Sequence, residues 1–232
     1  VLCLQETKQN NENFPHDVFE KSGLFSYHNG QNTYNGVAII SNKELIDVQF
    51  DISNFHDEQK RLISGIYPNN EGPKFRVISA YIPNGQSLNS DKFEYKINWL
   101  KSFISSLQKK IDGIENIITG DFNIAPTKLD CYDSKSWDGK ILVSPQEREY
   151  FDKLLNLGFI DTFREMNPNA NEFSWWDYRI PFKRNLGMRI DHILLSKNLL
   201  TFLKKAYIDK TTRTLERPSD HVPVVTELSL NP

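Results

Sequence analysis

The sequence predicts an α/β fold in which two β-sheets pack together with helices outside them. Three observations carry this. Short runs rich in β-branched and aromatic residues recur along the whole chain, several are joined by Asn/Gly turns that favour antiparallel pairing, and two amphipathic helices interrupt the series. The chain has 232 residues, of which 38% are hydrophobic and 25% charged. That is an ordinary globular composition at a length one core can reach. No linker, repeat or low-complexity tract divides it, so residues 1–232 read as one domain.

The strand-like runs are Val1–Leu4, Phe25–His28, Val37–Ser41, Ile46–Phe50, Leu62–Tyr67, Phe75–Tyr81, Asn116–Thr119, Phe173–Trp176, Ile190–Ser196 and Val222–Leu230. Asn29-Gly30, Asn35-Gly36 and Asn70-Glu71-Gly72 supply turn chemistry between some of them. One helix is expected from Asp91 to Ile111, with Phe93, Ile97, Leu100, Ile104, Leu107 and Ile111 on one face. The other opens at Ser144-Pro145-Gln146-Glu147, where Ser144 caps, Pro145 suits the first helical position and Glu147 completes a capping box. Phe151, Leu154 and Leu155 form its buried stripe, and Gly158 ends it. Val1-Leu2-Cys3-Leu4 reads as a buried strand at the very start of the chain, with no Met and no turn before it. A domain rarely begins inside a core strand, so upstream sequence is expected to be missing.

Composition narrows the functional classes. No apolar run approaches the roughly 20 residues of a membrane helix, and no signal peptide is visible, so no membrane partner is expected. Cys3 and Cys131 are too few for a disulfide framework and lack metal-ligand spacing, which suits reduced thiols in a cytoplasmic protein. The net charge of −2 weighs against a polycation that coats nucleic acid. It leaves room for an enzyme with a local basic rim around an acidic centre.

Polar residues at strand ends carry the chemistry. Glu6 follows the first apolar run, where a strand end can hold a carboxylate against a hard cation; alone it reads first as a surface carboxylate. Asn116–Thr119 runs into Gly120-Asp121-Phe122-Asn123, and in extended backbone Asp121 and Asn123 point the same way. A carboxylate and an amide then converge, though a polar turn explains them as well. Asp220-His221 precedes the last apolar run, where His221 is a candidate acid/base or phosphate donor, or a structural histidine. Asp191 interrupts an apolar strand and needs a partner such as an imidazole. Strand ends rich in oxygen ligands, without paired cysteines, favour Mg²⁺ or Mn²⁺ and phosphoester hydrolysis. Trp175, Trp176 and Tyr178 lie beside Arg179, Lys183, Arg184 and Arg189, a mixture suited to a nucleic-acid surface. Alternation sends one of the two tryptophans to the core.

Leu4-Gln5-Glu6-Thr7-Lys8, Asn35-Gly36-Val37-Ala38-Ile39, Ala80-Tyr81-Ile82-Pro83-Asn84-Gly85, Gly120-Asp121-Phe122-Asn123-Ile124-Ala125-Pro126-Thr127, Phe173-Ser174-Trp175-Trp176-Asp177-Tyr178-Arg179, Gly187-Met188-Arg189-Ile190-Asp191-His192 and Ser219-Asp220-His221 follow one another along the chain. In this order, and over essentially the whole chain, they resemble the exonuclease III-type AP endonucleases. The resemblance implies the endonuclease/exonuclease/phosphatase fold, a DNase I-like four-layered α/β sandwich with two packed mixed β-sheets flanked by helices. It implies a Mg²⁺-dependent DNA repair nuclease (Mn²⁺ as the alternative), acting as a 3′→5′ exodeoxyribonuclease III, as an AP endonuclease cutting 5′ to abasic sites, or as both. The partner is double-stranded DNA with abasic sites or recessed 3′ ends, and the protein a monomer.

The same resemblance implies roles. Glu6 binds the metal, with Asp121, Asn123 and Asp220 as further ligands. Asp121 activates the attacking water or protonates the leaving group, and Asn123 holds the phosphate. His221, oriented by Asp191, stabilises charge on the phosphate, and Tyr81 donates to the phosphate or the leaving oxygen. Trp175 lines the pocket for the baseless sugar, with Met188 and Ile190 as apolar neighbours, and Lys8, Asn84 and Arg179 contact DNA. The family also carries a strand before the Leu-Gln-Glu-Thr motif, with an Asn at its centre, that has no counterpart here. Two alternatives stay open: another phosphoesterase of this fold (DNase I-like, sphingomyelinase or inositol phosphatase), or a catalytically impaired DNA-binding remnant.

Overall fold

The computed structural model describes residues 1–69, 72–108 and 113–230. In chain order the elements are β1 (Leu2–Gln5), α1 (His16–Lys21), β2 (Phe25–Asn29), β3 (Val37–Ser41), β4 (Ile46–Phe50), β5 (Leu62–Tyr67), β6 (Lys74–Tyr81), α2 (Asp91–Leu107), β7 (Ile114–Asp121), α3 (Ser134–Trp137), α4 (Pro145–Asn156), β8 (Phe159–Asp161), α5 (Thr162–Met166), β9 (Trp175–Trp176), β10 (Gly187–Met188), β11 (Asp191–Ser196), β12 (Leu203–Ile208) and β13 (Val224–Leu228). This is an α/β fold. Two units make it up: Val1–Ile82 with Lys101–Asp121 and Leu230–Pro232, and Pro83–Leu100 with Phe122–Ser229.

In the first unit, β3 lies between β1 and β2 in an antiparallel sheet and is buried along its whole length. A second sheet pairs β4, β5 and β6 antiparallel and adds β7 parallel to β6, so it is mixed. β1 and β3 lie against β5, β6 and β7, which makes a two-sheet sandwich. β6 and β7 end level, with Ala80 opposite Gly120 and Tyr81 opposite Asp121. Gly120 allows this: its φ is +145°, and a Cβ there would stand 1.9 Å from the Ala80 carbonyl oxygen.

The expectation that Val1–Leu4 is buried needs correction. The strand is Leu2–Gln5, and Val1 and Leu2 are 59% and 50% exposed, because β1 is the edge strand of its sheet. Asn70 and Glu71 of one expected turn, and Ile111 at the expected end of the first helix, lie outside the described residues.

α2 buries Phe93, Lys96, Trp99, Leu100, Phe103 and Ile104, while Ile97 and Leu107 are only half-buried. The expected stripe is therefore rotated, because Trp99 and Phe103 bring more apolar area inward and Lys96 finds a buried counter-charge. In the second unit, α4 opens as its sequence predicts. Ser144 Oγ accepts from the Glu147 N–H at 3.3 Å, and the Glu147 carboxylate accepts from the Ser144 N–H at 3.0 Å. Phe151 and Leu154 are buried and Leu155 half-buried, and Gly158 follows with φ +96°.

β8 pairs with β11, β12 with β13, and β9 with β10, all antiparallel. β8 and β12, three and six residues long, are absent from the sequence reading. The expected strand from Phe173 is only Trp175–Trp176, and that from Val222 starts at Val224, since Pro223 brings no N–H to a ladder. Among the described residues, two apolar clusters lie in this unit. One joins Ala125, Cys131, Leu142, Val143, Met188 and Ile190; the other joins Phe163, Phe173, Trp176, Ile208 and Val222. Both cysteines are free thiols. Among the described residues, no helix is long and apolar enough to cross a membrane.

Arg189 corrects the expected basic rim. It is 1% exposed and sits under the surface. Its guanidinium donates to Asp130 Oδ1 at 2.7 Å and to both Asp161 oxygens at 3.0 and 2.8 Å. A buried guanidinium needs such forked partners. Burial pushes the Asp130 and Asp161 carboxyls up, but the Arg189 charge overrides this and holds both below the usual carboxylate range. Their stabilisation is therefore present above the unfolded value of about 4 and lost as pH falls below it. Arg189→Met strands the buried Asp161 carboxylate and leaves Asp130 with Arg164 as its one guanidinium partner, and it is predicted to cost about 3–5 kcal/mol in urea unfolding at neutral pH. The deficit shrinks on acidification toward pH about 4, where the stranded carboxyl takes up a proton; a deficit independent of pH contradicts the assignment.

Candidate active site

In the first unit, the sequence delivers Glu6 from the end of β1 into a tightly held turn. Glu6 and Lys8 adopt φ of +54° and +55°. The backbone N–H groups of Thr7 and Lys8 donate to the Gly36 and Asn35 carbonyls at 3.2 and 2.9 Å, and Gln5 Nε2 donates to Ser79 Oγ at 3.0 Å. A Cβ on Gly36 would stand 2.2 Å from Thr7 Oγ1, so Asn35-Gly36 serves as a clasp for the Glu6 turn. Thr7 Oγ1 also lies 2.7 Å from His28 Nε2. Burial, and after it His16, pushes the His28 imidazole down to about 4, so this ring is neutral.

The Glu6 carboxylate accepts a hydrogen bond from the Tyr81 hydroxyl, and Lys8 Nζ lies 2.9 Å from its other oxygen. Tyr81 ends β6 opposite Asp121, the last residue of β7. Arg61 covers the phenol ring at 4.7 Å and donates to the Tyr81 carbonyl at 3.2 Å. Burial first, then the Asp121 and Glu6 carboxylates, pushes the Tyr81 hydroxyl far above its ordinary value. Two carboxylates thus face one protonated phenol. Sequence reasoning missed Arg61; a basic residue directly before the apolar run of β5 is the signal that marks it.

In the second unit, Asn123 has φ +51°. The extended backbone expected from Asp121 to Asn123 is therefore broken at Asn123, and simple alternation does not set its direction. Hydrogen bonds set it instead. Asn84 Oδ1 accepts from the Gln86 N–H at 3.1 Å, which leaves Asn84 Nδ2 to donate to Asn123 Oδ1 at 2.9 Å. That chain assigns the other end of the Asn123 amide as a donor. Asp121 and Asn123 are 5% and 4% exposed.

Asp191 starts β11 rather than interrupting it. Ser174 Oγ donates to Asp191 Oδ2 at 2.6 Å, and His221 Nδ1 lies 2.9 and 3.1 Å from the two carboxylate oxygens. The carboxylate thereby places a proton on Nδ1 and turns Nε2 away from itself. Ser174, unnoticed in the sequence, also accepts from the Ile190 and Asp191 N–H groups at 3.1 Å each. Segment 174–176 is stitched to segment 220–222. Val222 N–H donates to the Ser174 carbonyl, Trp176 N–H to the Asp220 carbonyl, and Trp175 Nε1 to Asp220 Oδ2 at 3.0 Å. Trp176 is the inward tryptophan and Trp175 is half-buried.

Met188 and Ile190 are 0% and 2% exposed, with Trp175 packed on their cluster. They form an apolar floor beneath Trp175 and are almost wholly buried. Arg179 is exposed and bound to its neighbour Asp177; Lys183 and Arg184 are exposed on the short turn Phe182–Arg184.

With its hydroxyl held far above the ordinary phenol value, Tyr81 is predicted to stay protonated in mild alkali. A spectrophotometric titration to about pH 11 is predicted to show the same number of ionising phenols in the wild type and in Tyr81→Phe. One fewer in the variant contradicts it.

Residues 1–221 match the Endonuclease/Exonuclease/phosphatase family. The exodeoxyribonuclease III of Haemophilus influenzae is 37% identical over 239 residues, covering 98% of this chain and 89% of that protein. Among solved structures, the 3′ phosphatase NExo from Neisseria, bound to product DNA hairpin, superposes with a TM-score of 0.94 at 40% identity, covering 98% of this chain and 88% of that one. An AP endonuclease from Archaeoglobus fulgidus gives a TM-score of 0.92 at 33% identity with the same two coverages, 98% and 88%. With the strand-end carboxylates, the Asp191–His221 pair and these likenesses together, the chain belongs to the endonuclease/exonuclease/phosphatase family.

Proposed function

We propose that the chain is a Mg²⁺-dependent DNA repair nuclease that removes nucleotides 3′→5′ from recessed 3′ ends and cuts 5′ to abasic sites, with Mn²⁺ as an alternative ion. The supporting observation is the bond from the Trp175 indole to the Asp220 carboxylate, one residue before His221. It ties an apolar ring to a catalytic segment, which suits a baseless sugar beside the phosphate to be cut. A nucleotide without a base has nothing to unstack or unpair when it leaves the helix. The relatives point the same way in their names: an exodeoxyribonuclease III and an AP endonuclease.

The residues divide the work. Glu6, with Asp121, Asn123 and Asp220, offers oxygen donors suited to a hard cation. The fit rests on the chemistry of the donor set, in which the Glu6 and Asp121 carboxylates that both raise the Tyr81 phenol are hard oxygen donors. When bound, Mg²⁺ supplies positive charge to the phosphate as negative charge builds on it. Asp121 takes the proton of the attacking water or returns one to the leaving oxygen. Asn123 donates its amide to a phosphate oxygen. His221 donates from Nε2, held by Asp191 behind it, and the protonated Tyr81 hydroxyl donates to the phosphate or leaving oxygen. Lys8, Asn84 and Arg179 contact the DNA backbone. In this reading the chain acts as one endonuclease/exonuclease/phosphatase domain, a cytoplasmic monomer whose partner is double-stranded DNA.

The test is a duplex with one abasic site and a recessed 3′ end, assayed with Mg²⁺ and with a chelator. Both cuts are expected with Mg²⁺ and neither with the chelator. Activity that survives chelation overturns the metal assignment, and a preference for a lipid or inositol phosphate overturns the DNA reading. Asp191→Asn is predicted to lower kcat by about 10²- to 10⁴-fold, through loss of the imidazole's orientation. Trp175→Ala is predicted to impair abasic-site cutting about 10²-fold while leaving hydrolysis of a small phosphodiester within about threefold, as a positioning loss would. Equal losses on both substrates contradict the pocket assignment.

A further inference from the structure

Lys96 lies on α2 with its side chain 0% exposed, and Glu147, at the start of α4, is equally buried. A lysine buried to this degree is unusual unless every donor is met. Here the ammonium has three named acceptors: Glu147, the Asn123 carbonyl at 2.7 Å and the Asn84 carbonyl at 3.2 Å. Glu147 is filled in turn by the N–H of Leu142 at 3.1 Å and by the N–H and Oγ of Ser144 at 3.0 and 2.6 Å. An apolar pair would fill this space at no cost in desolvation, and the capping of α4 needs only Ser144 and Glu147.

The two carbonyls that Lys96 grips belong to the two asparagines whose amides are bonded to each other at 2.9 Å. Asn123 sits in left-handed backbone, which is costly for a residue with a side chain and persists only when its surroundings hold it. Gly85, next to Asn84, has φ +89°, and a Cβ there would meet Lys96 Cδ at 3.1 Å. The lysine stem is therefore packed tightly into the same turn.

We propose that Lys96, neutralised by Glu147, is a positioning residue that holds the backbone of Asn123 and Asn84 so that the Asn123 amide points its donor end at the phosphate. It touches no substrate. The inference rests on the role given to Asn123 above, and the test separates the two.

The test is a cycle on the abasic-site duplex with Mg²⁺: wild type, Lys96→Met/Glu147→Gln, Asn123→Ala, and the triple variant. The paired substitution removes both buried charges together, so no lone charge is stranded. It is expected to fold, to keep KM within about twofold and to lower kcat about 10- to 100-fold, the scale of a sub-ångström to 1 Å misplacement. In the Asn123→Ala background it is expected to lower kcat no further, because the group it positions is gone. A wild-type kcat in the paired variant overturns the proposal. So does a loss that adds in full to that of Asn123→Ala, and so does a paired variant that fails to fold, since the pair then serves stability. Asn123→Ala with wild-type turnover sinks the earlier role of Asn123, and this proposal with it; a slow Asn123→Ala beside a fully active paired variant sinks this proposal alone.

Discussion

The parallel pairing of β6 with β7 is the constraint on which the rest depends. It brings Tyr81 opposite Asp121 at the point where both strands end. The approach is possible only because Gly120 leaves room for the Ala80 carbonyl. Any side chain there would force the strands apart at their last residues. Each strand then runs within three residues into an asparagine, Asn84 after Tyr81 and Asn123 after Asp121. A phenol, a carboxylate and two amides thus enter the chain at two neighbouring strand ends, and β1 delivers Glu6 to the same phenol. Strand ends suit this work because the sheet fixes the backbone while the following loop admits water and ligand.

Buried charge is used in this protein to hold loops. Arg189 joins Asp130 to Asp161, while His192 reaches the Ile124 carbonyl at 2.9 Å, so the segment after Asn123 is pinned from behind. Lys96 and Glu147 pin Asn84, Asn123 and the residues leading into α4. In both networks the buried charges meet opposite charges and several hydrogen bonds, the condition under which a buried ion pair is tolerated. Neither charge pattern needs contact with a substrate. Their effect is rigidity in segments whose backbone alone, with residues at positive φ, would not stay in place.

Much of this was legible in the sequence because local chemistry dictated it. The Ser144–Glu147 cap reads directly as a helix start, and Gly158 as its end. The strand runs from Val37 to Tyr81 stand where their β-branched and aromatic residues place them, with the last beginning one residue earlier, at Lys74. Glu6, Asp121 and His221 were visible as polar residues at strand ends, Asp191 as a carboxylate within an apolar run, and Tyr81 through the family resemblance. What sequence reasoning missed or misplaced depends on partners distant in the chain. Arg189 looks like a surface cation until Asp130 and Asp161 are placed around it. The burial of Met188 and Ile190 comes from their cluster with Val143 and Ala125, partners far from them in the chain. Lys96 falls off the expected apolar stripe of α2 because nothing near it in sequence announces Glu147. The left-handed turn at Asn123 is set by tertiary hydrogen bonds, so the extended-strand rule failed there.

Metal binding at Glu6 is the claim that links this geometry to nuclease chemistry. Titration of Mn²⁺ into the protein, followed by loss of the free-ion EPR signal, measures it without any turnover. The wild type is expected to take up Mn²⁺, and Glu6→Gln to bind it at least about tenfold more weakly, since one anionic oxygen ligand is lost. Equal uptake by the two proteins, or none by the wild type, would contradict the assignment.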